Sequence, residues 1–229
     1  IKTPLLESHL LNEYTHAKIL VKAECLQHTG SFKYRGALNM ISKINDHKKV
    51  VAPSSGNHAQ GVAAAAYLLK KTATLVMPSD APKVKISGVR SFGGNIVFYD
   101  RQKEDRFKIA KEIAKKENAI LIPPYDHQDI ICGQGTIGIE SIEQMNEKNF
   151  LPDIVLCCCG GGGLISGIAT SLKATWPKVN IHSVEPYGWD DTNRSLIKGS
   201  RVQVSDKIPS LCDALLAETP GKLTFEINR

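Results

Sequence analysis

Short apolar runs alternate with longer amphipathic ones along almost the whole chain, and this alternation constrains the fold more than any other feature. "AKILVKAE", "KVVAPS", "TATLVMP", "NIVFYD", "AILIPP", "DIVLCCC" and "VNIHSVEP" read as strands. "YRGALNMISKI", "NHAQGVAAAAYLLKK", "APKVKISGVRSFG", "DRFKIAKEIAKKE", "GTIGIESIEQMN" and "LISGIATSLKATW" read as helices between them. Strands that alternate with helices form βαβ units, so the expected class is α/β with parallel sheet. The 229 residues are enough for one large core or two modest ones. The Pro-Pro at Pro123 and Pro124 ends a strand and marks a candidate boundary.

The net charge of +6 is spread along the chain. In its densest stretch, "RQKEDRFKIAKEIAKKE", acids interleave at helical spacing and no aromatic ring offers a stacking platform. That pattern argues against nucleic-acid binding and favours anionic small molecules. No apolar run reaches spanning length, and "IKTPLLESHL" has no signal-peptide layout. The absence of an initiator methionine suggests a piece of a longer reading frame. Six cysteines without a C-x-x-C pair read as reduced thiols, which places the protein in a reducing, cytoplasmic compartment.

In an open parallel sheet, ligands lie beyond the carboxyl ends of the strands, so the loops after strands carry the chemistry. Gly160, Gly161, Gly162 and Gly163 follow "DIVLCCC" and open a helix. Without Cβ atoms their N–H groups can turn toward one anion at a helix N-terminus, and a phosphate is the natural guest. The bland alternative is a tight turn. A second glycine pattern, Gly133, Gly135 and Gly138, has the G-x-G-x-x-G spacing. It follows only the short, polar-fronted "DHQDIIC", so it reads as a helix start packed close to a neighbour. The loop "PSSGNHAQG" places Ser54, Ser55, Gly56, Asn57 and His58 before an alanine-rich helix. Either they cap that helix or they cradle a carboxylate. "SVEPYGWDD" gathers Glu185, Asp190 and Asp191, which are hard oxygen ligands or simply an acidic turn.

"TGSFKYRGA" sets Lys33 between Phe32 and Tyr34. An apolar surround lowers a lysine's pKa and makes its amine reactive, although strand-like alternation would point both rings away. Alone, Lys33 reads better as a solvated lysine at a helix start. A reactive lysine, a phosphate nest and a carboxylate cradle together suit pyridoxal phosphate and its amino-acid substrates.

These segments resemble the fold-type II pyridoxal-phosphate enzymes, specifically the serine/threonine dehydratase, serine racemase and hydroxyaspartate ammonia-lyase family. "TGSFKYRGA", "SSGNHAQG", "GGGGL", "IPPYDHQDIICGQGTIG" and "VEPYGWDD" match in the family's order. The resemblance implies a tryptophan-synthase-β-like fold of two open parallel-sheet domains, each three-layer α/β/α. The large cofactor-binding domain would comprise residues 1–48 and 127–229, and the small domain residues 49–126. It implies a Schiff-base role for Lys33, which would also serve as base on one face of the substrate α-carbon, with Phe32 beside the cofactor. Asn57 would bond the ring hydroxyl, and Gly160, Gly161, Gly162, Gly163 and Leu164 would hold the phosphate. Ser54, Ser55, Gly56, Asn57 and His58 would bind the substrate carboxylate, with Ser55 as acid/base on the opposite face. Glu185, Asp191 and the Trp189 carbonyl would hold a divalent cation, Mg²⁺, Mn²⁺ or Ca²⁺.

The implied reaction is β-elimination from L-serine, L-threonine or 3-hydroxyaspartate to a 2-oxo acid and ammonia, carried out by a homodimer. Serine racemase is the alternative, and a non-catalytic cofactor-binding relic is the second. A cysteine-synthase-type enzyme is disfavoured by the Ser-Phe-Lys-x-Arg-Gly context. Family members continue past Arg229, where the residue facing the cofactor's ring nitrogen would lie. "DDTNRS" and "SLCDALL" look more like the bacterial dehydratase branch, and His28 stands where nucleotide-binding racemases have lysine.

Overall fold

The computed structural model describes residues 1–54, 56–206 and 208–229. After the first helix-turn comes α2 (Lys33–Ser42), and then the strands and helices alternate as β3 (Lys49–Pro53), α3 (Asn57–Leu68), β4 (Thr72–Pro78), α4 (Lys83–Ser91), β5 (Asn95–Tyr99), α5 (Arg106–Glu117) and β6 (Ile120–Leu121). The four strands form one parallel sheet in the order β5-β4-β3-β6, with Val51 opposite both Thr74 and Leu121. Side chains alternate between its faces, as period-two geometry requires. Val50, Ala52, Leu75 and Met77 pack against α2 and the alanines of α3. Val51 and Val76 pack on the other side with Ala110 of α5. The sheet is therefore the middle of three α/β/α layers, the expected class. β6 is shorter than "AILIPP" suggests, because Pro123 and Pro124 cannot donate to a ladder; Ile122 N still reaches Val51 O at 2.8 Å.

"AKILVKAE" does form a strand, β2 (Leu20–Lys22), but it joins no parallel sheet. It pairs antiparallel with β1 (Leu5–Glu7), Leu6 opposite Val21. Between them α1 (His9–Thr15) ends at His16, whose φ of 52° turns the chain back on itself.

α6 (Gln128–Glu147) also departs from expectation. His127 Nδ1 accepts from Asp129 N at 3.1 Å and starts the helix ahead of "DIIC", so Gly133, Gly135 and Gly138 lie in its interior. The packing part of the expectation holds. A Cβ on Gly133 would stand 2.5 Å from Gly36 Cα of α2, and one on Gly135 would stand 3.1 Å from the carbonyl oxygen of Gly167. Gly167 belongs to α7 (Gly163–Thr175), so α6 lies in backbone contact with the helices on both sides.

β7 (Ile154–Cys158) and β8 (Asn180–Val184) form a parallel pair, Leu156 opposite His182. One face packs Cys157, Ile137, Ile168 and Leu172 together. On the other, Ile154, Leu156 and Val184 are 56%, 70% and 46% exposed. α8 (Asp191–Lys198) and α9 (Lys222–Asn228) complete the described elements.

Candidate active site

The start of α3 and the end of β7, which flank two of the loops singled out in the sequence, lie near Lys33. α3 crosses the start of α2 closely: a Cβ on Gly61 would lie 3.0 Å from the Lys33 carbonyl carbon and the Tyr34 nitrogen. This contact fixes the first turns of α3, with Asn57 and His58, beside the lysine's helix. Lys33 is half-buried and donates from Nζ to Pro124 O at 2.7 Å. Burial pulls its ammonium down to about 8, with the Cys158 thiol at the end of β7 working against the shift. Phe32 does not point away, because its ring centroid is 5.1 Å from the amine. Tyr34 does turn aside, into the core, where it meets His28 edge-on. Just upstream, Thr29 holds the left-handed region at φ 64°, a strained setting for a β-branched residue.

In the second loop, Gly56 stands at the N-cap position of α3 and has no side chain to cap with. Ser54 Oγ accepts from Gly56 N at 3.2 Å, so it orders the loop and does not close the helix. Ser55 lies outside the described residues. Asn57 Oδ1 accepts from Lys85 Nζ at 2.5 Å. His58 is 3% exposed, with Nε2 at 3.0 Å from Ile122 O. Burial, and next the Lys33 charge, push the imidazole down to about 3, so it is neutral and donates to that carbonyl. Its backbone N–H, in the first turn of α3, is what it offers a carboxylate.

In the glycine loop, Gly162 adopts φ 90°, the left-handed region that favours glycine. The loop's carbonyls are engaged from behind: Gly161 O accepts from Thr224 Oγ1 at 2.7 Å, and Gly162 O from Ser166 Oγ at 2.8 Å. With its carbonyls held, the loop has its N–H groups left to offer an anion at the N-terminus of α7. The ring of Tyr125 sits where a Cβ on Gly161 would stand. Leu164 is half-buried against the β7–β8 core. A half-buried amine at about 8 and a loop in which Gly161, Gly162 and Gly163 have no room for a Cβ suit pyridoxal phosphate.

In the acidic loop, Glu185 accepts from Thr192 N and Asn193 N, both at 2.9 Å, and so caps α8. Asp191 is fully buried, and neither carboxylate oxygen has a hydrogen-bond partner among the described residues. Burial, and next the nearby Glu185, push its carboxyl up to about 7. Trp189 is buried, with Nε1 bonded to Ile208 O at 2.7 Å. No cluster of three or more ligating side chains occurs among the described residues. Asp191 is thus a buried carboxylate without a hydrogen-bond partner among the described residues, the one feature here that suits a cation, whereas both Glu185 oxygens are taken by α8 N–H groups.

Sequence reading missed several residues that shape this site. Arg35, two residues past the lysine, is 9% exposed and bonds Glu24 at 2.8 Å and Glu140 at 2.6 Å. Lys22 adds a 2.8 Å pair with Glu140, so the β1–β2 pair, α2 and α6 share one charge network. Tyr125 and Arg106 went unnoticed too; the Arg106 charge acts on both His58 and Tyr125. The "YRG" after the lysine was the one local signal.

The pyridoxal-phosphate-dependent enzyme family matches the chain over residues 1–229. The chain belongs to that family. Its fold is that of the fold-type II members. It is 42% identical to an L-threo-3-hydroxyaspartate ammonia-lyase of Pseudomonas sp., over all of this chain and 71% of that protein. It is 39% identical to a serine racemase of Schizosaccharomyces pombe, over 99% of this chain and 69% of that one. A crystal structure of a threonine deaminase from T.th. superposes with a TM-score of 0.95 at 40% identity, covering all of this chain and 74% of that one.

Proposed function

We propose that this chain serves as a pyridoxal-phosphate-dependent ammonia-lyase that eliminates water from a small β-hydroxy amino acid, the released enamine then taking up water to give the 2-oxo acid and ammonia. The substrate would be L-threo-3-hydroxyaspartate, L-serine or L-threonine, and the product the 2-oxo acid. One observation carries the reading: Lys33 Nζ, drawn down to about 8 by burial, reaches Pro124 O at 2.7 Å, next to the Tyr125 that packs on Gly161 and Gly163, while Gly61 of α3 packs on the Lys33 backbone.

When bound, the cofactor supplies a conjugated sink for the electron pair left at the substrate α-carbon. The chain's own residues do the rest. At pH 7.5, roughly a quarter of an amine titrating at about 8 is neutral, against about a thousandth at 10.5, so Lys33 Nζ can accept the α-proton. Phe32 keeps water from that amine. The N–H groups of Gly160, Gly161, Gly162, Gly163 and Leu164 would hold the phosphate, and Asn57 the ring hydroxyl. Ser54, Ser55, Gly56, Asn57 and His58 would hold the substrate carboxylate, which the α3 N-terminus favours electrostatically. Asp191, Glu185 and the Trp189 carbonyl would take a divalent cation, relieving a buried, unpartnered carboxylate.

Serine racemisation is the second reading, favoured by the likeness to the fission-yeast racemase. A homodimer and a cytoplasmic setting belong to the same proposal; the six cysteines are all free, as a reducing compartment requires. The test is a substrate panel on the full-length protein with pyridoxal phosphate, following 2-oxo acid, ammonia and D-serine. Stoichiometric 2-oxo acid and ammonia are expected. D-serine as the main product would favour the racemase, and no turnover of any substrate would defeat both readings.

A further inference from the structure

We propose that Lys85 is a positioning residue that fixes which end of the Asn57 amide faces the cofactor, and thereby sets cofactor affinity. The inference rests on the reading of Asn57 as partner of the ring hydroxyl.

Lys85 lies in the first turn of α4, on a different βα unit from the "SSGNH" loop. Its Nζ reaches Asn57 Oδ1 at 2.5 Å. An ammonium carries three donors and no acceptor, so only the oxygen of an amide can face it. Nδ2 is then the end that remains for the site. The ring hydroxyl of the cofactor, when ionised, is an acceptor, so an Asn57 held in this sense donates to it. The orientation is set chemically, by the neighbour's charge.

Two close contacts hold the lysine in place. Its side chain runs across Gly56: a Cβ there would stand 3.2 Å from Nζ, 3.4 Å from Cδ and 3.5 Å from Cε. One turn along α4, Gly88 stands where a Cβ would overlap the Gln60 side chain of α3, so the two helices pack without a spacer. The backbone of Lys85 is itself fixed, with N donating to Pro82 O at 2.9 Å. Without the ammonium the amide can present either end, and one of them sets oxygen against oxygen. A charged group behind Asn57 also strengthens the bond that Nδ2 makes in front, through polarisation of the amide.

The experiment measures the dissociation constant of pyridoxal phosphate by equilibrium dialysis, using the full-length protein and its Lys85→Met, Lys85→Glu and Lys85→Arg variants. Borohydride trapping on Lys33 and melting temperature are recorded in parallel. Lys85→Met should weaken binding about tenfold, the scale of one charge-assisted hydrogen bond, at an unchanged melting temperature of the cofactor-free protein. Lys85→Glu should weaken it further, because a carboxylate accepts from Nδ2 and turns the oxygen toward the cofactor. Lys85→Arg should restore binding to within about threefold. In an Asn57→Ala background, Lys85→Met should change nothing more. Wild-type affinity in Lys85→Met, or the same tenfold loss without Asn57, overturns the role of Lys85 while trapping on Lys33 keeps the cofactor reading intact. Failure to trap cofactor on Lys33 in the wild type overturns both.

Discussion

The two parallel sheets are supported in opposite ways. In the four-stranded sheet, Val50, Val51, Leu75, Val76 and Met77 are at most 1% exposed, because helices cover both faces. In the two-stranded sheet, the open face shows Ile154 and Leu156 to solvent. Yet the loop after β7 is no less defined than the loop after β3. Its carbonyls are held by Thr224 of α9 and Ser166 of α7, and Tyr125 packs beneath it. The "SSGNH" loop thus draws its position from a buried sheet, and the glycine loop draws its own mainly from the helices around it.

Experiments can break or sharpen that contrast. The largest effect is expected where neither sheet is touched. Lys33→Ala removes one hydrogen bond to Pro124 O, so it should abolish turnover by at least 10³-fold with little change in melting. A cofactor still trapped by borohydride on another lysine would sink the assignment. Next, Leu75→Ala should cost about 3 kcal/mol in urea denaturation, whereas Leu156→Ala on the open face should cost about 0.5 kcal/mol or less. Equal losses would mean that the exposed face is covered in solution.

A smaller effect concerns the charge network that ties the β1–β2 pair and α6 to the lysine's helix. Burial alone would raise Glu140, but hydrogen bonds from Arg35 and then Lys22 overcome it and hold its carboxyl at about 2. A carboxyl depressed on folding adds stability that is present above its unfolded value, near 4.5, and is lost as pH falls toward 2. Glu140→Gln should therefore cost about 2 kcal/mol at neutral pH and flatten the acid limb of the stability curve. An unchanged acid limb would rule the network out as its cause. Smallest of all, exhaustive chelation should lower the melting temperature by a few degrees, corresponding to about 1 kcal/mol, and Mg²⁺ should restore it. Hydrogen exchange should confine the change to α8 and the β7–β8 sheet, and identical melting with and without chelator would argue against the cation.

What was legible in the sequence was what is local. Apolar runs and glycine-rich turns reported strands and loops because each is decided within a few residues. The glycine loop, the "SSGNH" loop and Lys33 stood out because their residue types are costly unless used. What escaped notice depends on partners far along the chain. "AKILVKAE" has a strand's composition whether it pairs parallel or antiparallel, and only the turn at His16 decides. "DIIC" reads apolar whether extended or helical until His127 caps it. Arg35 meets Glu140 across 105 residues, and Lys85 meets Asn57 across 28, distances over which no periodicity speaks. The ring of His58 bonds Ile122 O, a partner 64 residues away that its neighbours in sequence could not announce.

The glycines of α6 have a consequence for how such a site can change over generations. Gly133 meets Gly36 on the lysine's helix, and Gly135 meets Gly167 on the helix behind the glycine loop. The span from the lysine's helix to the glycine loop is thus gauged in backbone radii, with no side chain between to lengthen or trim. Any residue larger than glycine at those crossings wedges the helices apart, so drift there is one-directional and harmful. The packing of α3 on α4 is different in kind, because there Lys85 meets Asn57 and crosses Gly56 through a side chain that single substitutions can resize.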